Sequence, residues 1–136
     1  MLEHLGQTPD SFIGIMRELW RICRNQARIS IRVPDCRHDD FFGDPTHVRP
    51  INDQMLGLFD QQFNRWCIEQ HHTNTPLGLM HGIDFSVESK DLVLDSPWAE
   101  KRASGEMNQA QIDEAIRMYN NVIKEARYVL VARKVK

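Results

Sequence analysis

The sequence is short of glycine, of cysteine, of long apolar runs and of any surplus of one charge, and each shortage closes off a class of function. Its seven glycines never fall into a GxGxG pattern, so the tight turn that lets a backbone approach a bound nucleotide is not written into these residues. The three cysteines, Cys23, Cys36 and Cys67, are odd in number and widely spaced. That argues against a disulfide framework or a CxxC zinc knuckle, and fits a reducing, cytoplasmic compartment. No apolar run nears the roughly twenty residues that cross a bilayer, and the opening MLEHLGQTPD has neither a basic nor an apolar leader region. Neither a membrane span nor a secretory signal is expected. A net charge of -2 gives no reason to expect nucleic acid or anionic lipid as a partner, and the short basic end at Arg133, Lys134 and Lys136 does not change this.

What is present is ordinary globular material: 136 residues, 41% hydrophobic and 26% charged, enough for one domain with its own core. There is no internal repeat and no low-complexity segment. Helical and strand periods alternate, which is the pattern of an α/β layer fold.

From Thr8 to Arg24, Phe12, Ile15, Met16, Leu19, Ile22 and Cys23 recur at spacings of three and four, with Thr8 placed to cap and Pro9 in the first turn. Ala27, Ile29, Ile31 and Val33 then alternate with Arg28, Ser30 and Arg32 as a strand with one wetter face, stopped by Pro34. Asn52 can cap a second helix through Met55, Leu56, Phe59, Phe63 and Trp66 that ends near His71. HTNTPLGLM reads as a loop. GIDFSVESKDLVLD reads as two short β runs about a polar turn at Glu88 to Asp91. SPWAEKRASGE reads as a surface connection. From Asn108, the residues Ile112, Ala115, Ile116, Tyr119, Val122 and Ile123 mark a third helix, and RYVLVARK is apolar enough to lie centrally in a sheet. Trp20 and Trp66 are expected in the core, and the pair His71 and His72 at a solvated helix end.

The densest chemistry sits in HDDFFGDPTHVRP, residues His38 to Pro50, which follows the first strand. The composition of this loop suits neither a continued strand nor a new helix. In open parallel sheets ligands gather beyond the carboxyl ends of strands, and this loop leaves such an end. Asp44, His47 and Arg49 are candidates to orient a polar substrate, with His47 as a base and Arg49 as an anion clamp. The competing reading makes Asp44 a turn residue before Pro45, and has His47 and Arg49 bonded to loop carbonyls. A divalent metal held by His38, Asp39, Asp40, Asp44 and His47 is chemically conceivable. Neighbouring loop residues rarely converge, however, and no HExxH or EF-hand spacing is present, so no metal site is assigned.

Several of these pieces together resemble the second half of class I S-adenosylmethionine-dependent methyltransferases. LEHL, Leu2 to Leu5, is similar to the phrase that ends the family's fourth strand. FIGIMRELWRICR followed by ARISIRVPD resembles its next helix and fifth strand. GDPTHVRPI resembles a loop of a subgroup often acting on sugars, polysaccharide precursors or other small molecules. GIDFSVES and YVLVARK look like its antiparallel last two strands, although the insert from Asp95 to Glu106 is less typical.

The resemblance implies a partial Rossmann-like sheet, mixed parallel and antiparallel, with three main helices, in a single domain over residues 1–136. It also implies that the glycine-rich half that grips the cofactor is not included. Leu2, Glu3 and His4 would then border S-adenosylmethionine, with His4 as a proton acceptor, beside the loop's own candidates Asp44, His47 and Arg49. A half of this kind is expected to be a fragment or remnant, inactive alone, in which a strand left without its neighbour pairs with a second copy as a homodimer. A non-enzymatic self-associating module and a metal-dependent hydrolase stay open beside it.

Overall fold

The first helix shows how local sequence sets the frame. Thr8 accepts the Ser11 N–H on its side chain while the Ser11 hydroxyl accepts the Thr8 N–H, a reciprocal cap that starts α1 (Pro9–Ile22) and turns Phe12 and Met16 inward. A single 3-10 turn, Leu2–His4, precedes it. In this computed structural model, which describes residues 1–134, β1 (Arg28–Pro34) follows α1, with Ile31 and Val33 buried and Arg28, Ser30 and Arg32 toward solvent. Lys136 of the basic end lies outside the described residues.

The remaining elements are α2 (Asp39–Phe42), α3 (Asp53–Gly57), α4 (Gln61–Glu69), α5 (Leu77–His81), β2 (Phe85–Leu94), α6 (Trp98–Ala103), α7 (Gln109–Met118) and β3 (Ile123–Ala132). The three strands form one sheet in the order β1-β3-β2. The apolar closing strand is therefore central, as its composition predicts.

The expected mixed sheet is not what the described strands form, because both neighbouring pairs are antiparallel. β3 enters last and runs between two strands that point the other way, so the parallel relation holds only between β1 and β2, which do not touch. Among the described strands, β1 pairs on one side only.

Several boundaries also move. The polar stretch in β2 is not a turn: a bulge between Val87 and Ser89 absorbs Glu88, and one strand continues through it. The Glu88 carboxylate meets Arg28 at 2.8 Å across the sheet. The second helix breaks in two, because Asp60 accepts the N–H groups of Gln62 and Phe63 and starts α4 afresh. α7 stops at Met118, and Asn121, at φ 62°, turns the chain so that Ile123 opens β3 instead. Short helices occupy three stretches read as irregular: α2, α5 and α6. The helices expected from periodicity survive in α1, α4 and α7, the longest described.

The core joins Leu2, Phe12 and Met16 to Ile31, Val33, Phe85, Tyr128 and Leu130 of the sheet, and to Ile51, Leu56, Phe59 and Ile83. Trp20 is half-buried, its indole N–H donating to the carbonyls of Asp84 and Arg133 at 3.2 Å each. Trp66 is not core: it lies on α4's outer side, 49% exposed, stacked on Phe63. His71 and His72 are exposed beyond α4, as expected. No helix among the described residues is long and apolar enough to cross a membrane.

Candidate functional site

Two segments some forty residues apart in sequence are laced together in front of α1. Val48 donates its N–H to the Glu3 carbonyl at 2.8 Å, and Arg49 donates its own to the same oxygen at 3.4 Å. The Arg49 guanidinium donates to the Gly6 carbonyl at 2.7 Å and lies 4.3 Å from the Phe12 ring centroid. Gly6, at φ +72°, makes the turn into α1 where a Cβ would come 2.7 Å from the Phe12 Cα, so no side chain fits there. Inside the loop, Asp44 accepts the Thr46 N–H at 2.8 Å and the Thr46 hydroxyl at 2.6 Å on one oxygen, Oδ1. This is the turn that Asp before Pro favours.

The lacing brings Glu3, His4, Asp44 and His47 into one cluster. His4 Nε2 stands 3.6 Å from Glu3 Oε1, His47 Nε2 stands 3.9 Å from that oxygen, and Asp44 Oδ2 lies 3.6 Å from His47 Nε2. The two imidazoles meet edge to face at 4.5 Å, and Phe41 stacks on His47 at 5.3 Å. The side chains of Glu3 and His47 are 6% and 7% exposed, while that of His4 is 38% exposed.

The ring protons can be assigned from the partners. His47 Nδ1 faces the Phe41 carbonyl at 2.7 Å, which can only accept, so Nδ1 carries the hydrogen. His4 Nδ1 faces the Thr46 carbonyl at 3.2 Å and the Thr46 Oγ1 at 3.0 Å. The hydroxyl has already given its one hydrogen to Asp44, so His4 also donates from Nδ1. In the neutral state both rings therefore turn bare Nε2 lone pairs toward Glu3. Burial pushes the Glu3 carboxyl up, but hydrogen bonding and charge from the N-terminal ammonium, its own backbone N–H and His4 outweigh this and hold it below the usual carboxylate range. Asp44 is held low chiefly by the Thr46 hydroxyl and N–H. Beside the cluster, a shallow groove of about 270 Å³ is lined by Glu3, Arg32, Val33, Pro34, Asp40, Lys124 and Glu125.

Leu2, expected at the cofactor, is instead packed into the core. Arg49, expected to clamp an anion, holds its own chain at Gly6 and Phe12. The five-residue metal set weighed for the loop does not converge. His38 donates from Nε2 to Asp95 Oδ2 at 2.7 Å and accepts the Asp40 N–H on Nδ1 at 3.0 Å, while the Asp39 carboxylate accepts from Asn121 at 3.2 Å. Of the five, His47 comes within 3.9 Å of Glu3, and Asp44 within 3.6 Å of His47. Sequence reading passed over Thr46, which orients both Asp44 and His4; the Asp-Pro-Thr spacing was the available signal.

No protein-family model and no curated protein matches the chain. Among solved structures it is similar to a SAM dependent methyltransferase from Archaeoglobus fulgidus, at 15% sequence identity and a TM-score of 0.49. The match covers 96% of this chain and 55% of that one, so this chain spans about half that protein's length.

Proposed function

We propose that the chain supplies the acceptor side of an S-adenosylmethionine-dependent methyltransferase that acts on a small, polar, saccharide-like substrate. The observation that carries the reading is convergence: Leu2 to Leu5 and the GDPTHVRP loop, two segments of the resemblance, lie against each other and combine two imidazoles with two carboxylates. His4 is the half-exposed imidazole of the pair. Its bare Nε2 can take a proton from an acceptor hydroxyl or amine, and Glu3, 3.6 Å away, steadies the imidazolium that forms. His47 and Asp44 complete the polar wall, Arg49 positions it, and the charged groove beside Glu3 suits a polyhydroxyl substrate.

These residues do not by themselves form a cradle for the cofactor, since Leu2 is turned inward and no glycine turn is among them. The 136-residue chain is therefore expected to bind S-adenosylmethionine no tighter than roughly millimolar, about 4 kcal/mol, and to transfer no methyl group. Two measurements test this. In calorimetry, a micromolar dissociation constant would mean that the site is complete and the half-site reading wrong. In an NMR titration with millimolar cofactor and simple sugars, the His4 and His47 ring resonances should shift, and unmoved rings overturn the assignment of the site.

A second reading rests on the open edge of β1, which pairs with β3 on one side only. An unpaired edge is a template for another chain. We propose a homodimer through this edge, whether or not the site is catalytic.

A further inference from the structure

The geometry points to a site for a divalent transition-metal ion of the zinc class, held by Glu3 Oε1, His4 Nε2 and His47 Nε2, with Asp44 Oδ2 or water in the fourth position. Three lone-pair atoms face one another here, with Asp44 Oδ2 reaching His47 Nε2 at 3.6 Å, and once the ring protons are placed on Nδ1 neither imidazole turns a donor inward. Such an arrangement is repulsive until a proton or a cation enters it, and neutral imidazoles plus a carboxylate are the donor set that suits zinc and its neighbours. Magnesium and calcium, which prefer oxygen, are disfavoured by the two nitrogens.

The dimensions agree. The three ligand atoms all lie within 4.8 Å of one another, and two of their separations are 3.6 and 3.9 Å. Bonds of about 2.0 Å to a tetrahedral ion need separations of roughly 3.3 Å, so the ligands close in by only a few tenths at these two contacts. His4, more exposed than the other two, has room to make the adjustment.

The supports around the ligands are those that metal-binding histidines use. Each ring donates its far N–H to a backbone carbonyl, that of Phe41 for His47 and that of Thr46 for His4, which fixes ring orientation and tautomer. Thr46 also ties Asp44 into the same unit. Glu3 meets the N-terminal ammonium through Oε2 at 2.7 Å, so Oε1 is the oxygen left for the ion. Two carboxylates match the charge of a divalent ion. The inference does not depend on methyl transfer: an ion takes the lone pair with which His4 would accept a proton, so the two uses exclude each other at any moment.

The test uses tag-free protein stripped with a chelator, then titrated with zinc in a calorimeter and with cobalt in a visible spectrometer. The expected result is one ion per chain at micromolar or tighter affinity, with the intense visible bands of tetrahedral cobalt. Because His47 is packed against Phe41, the informative variants are His4→Gln and Glu3→Gln, each expected to weaken binding by at least about tenfold. The double variant His71→Gln/His72→Gln should bind as the parent does. No binding at micromolar zinc overturns the site. So does binding that survives both His4→Gln and Glu3→Gln, or that disappears with His71 and His72.

Discussion

Replacing Arg133 with methionine tests the account of how the sheet is fastened to the helices. The Arg133 guanidinium donates through Nη2 to Asp60 Oδ1 and, at 2.7 Å, to Asp84 Oδ1. Asp60 is also the cap of α4, and Asp84 also accepts the Gln61 N–H at 3.0 Å, so one side chain joins the end of β3 to the start of α4 and the approach to β2. Burial works to lower the arginine's pKa, but the two carboxylates outweigh it and the group stays firmly charged.

The three side chains are 21%, 19% and 18% exposed. Each charge-assisted bond is therefore taken at the lower end of its range, about 1.5 kcal/mol, and two come to about 3 kcal/mol. Arg133 Nε is buried with no hydrogen-bond partner among the described residues, and its removal returns about 1 kcal/mol. Arg133→Met is thus expected to cost about 2 kcal/mol, or a fall in Tm of roughly 7 °C for a domain of this size. Urea unfolding followed by circular dichroism measures it. Adding Asp84→Asn, which keeps the acceptor for Gln61 but removes one of the two stranded charges, should recover part of the loss. A change of less than about 0.5 kcal/mol on Arg133→Met, or no recovery in the double variant, would refute the reasoning.

Three further outcomes are expected. Gly6→Ala places a Cβ 2.7 Å from the Phe12 backbone at a φ of +72°, and should cost about 2 kcal/mol; a thermal melt matching the parent would show that the turn relaxes freely. Asp95 is held below the usual carboxylate range, first by the hydrogen bond from His38 and then by the Ser96 N–H, against burial. Its contribution is therefore present above the unfolded-state pKa of about 3.9 and is lost as pH falls through the lower folded value. Asp95→Asn should destabilise at neutral pH and lose that deficit in acid, and a deficit unchanged at about pH 3 would contradict the pairing. Light scattering of concentrated protein should report twice the 15.9 kDa chain mass, and a clean monomer would count against pairing through the β1 edge.

The α1 helix, the β1 strand and the central place of β3 could be read from the chain because their causes are local. A reciprocal cap at Thr8 and Ser11, alternation from Ala27 to Val33, and an apolar run before Arg133 each act within a few residues. The break before α4 was partly legible too, since Asp60 is a good cap, but the apolar spacing through Phe59 hides it. The continuity of β2 was not legible: ESKD looks like a turn until β3 offers hydrogen bonds along its length and Arg28 meets Glu88 from the far strand. The antiparallel pairing of the last two strands was expected from the resemblance and is found, whereas the all-antiparallel contacts of the described sheet follow from β3 entering between β1 and β2.

The same division runs through the site. Resemblance pointed to Leu2, Glu3 and His4, and loop composition to Asp44, His47 and Arg49; folding packs Leu2 into the core, ties Arg49 to its own chain, and brings the other four together. The direction of each lone pair was decided by the carbonyls of Phe41 and Thr46, atoms that every residue carries and that composition cannot distinguish. Periodicity and caps report forces acting along the chain, whereas the protonation pattern of a cluster depends on which generic backbone groups folding happens to bring alongside it.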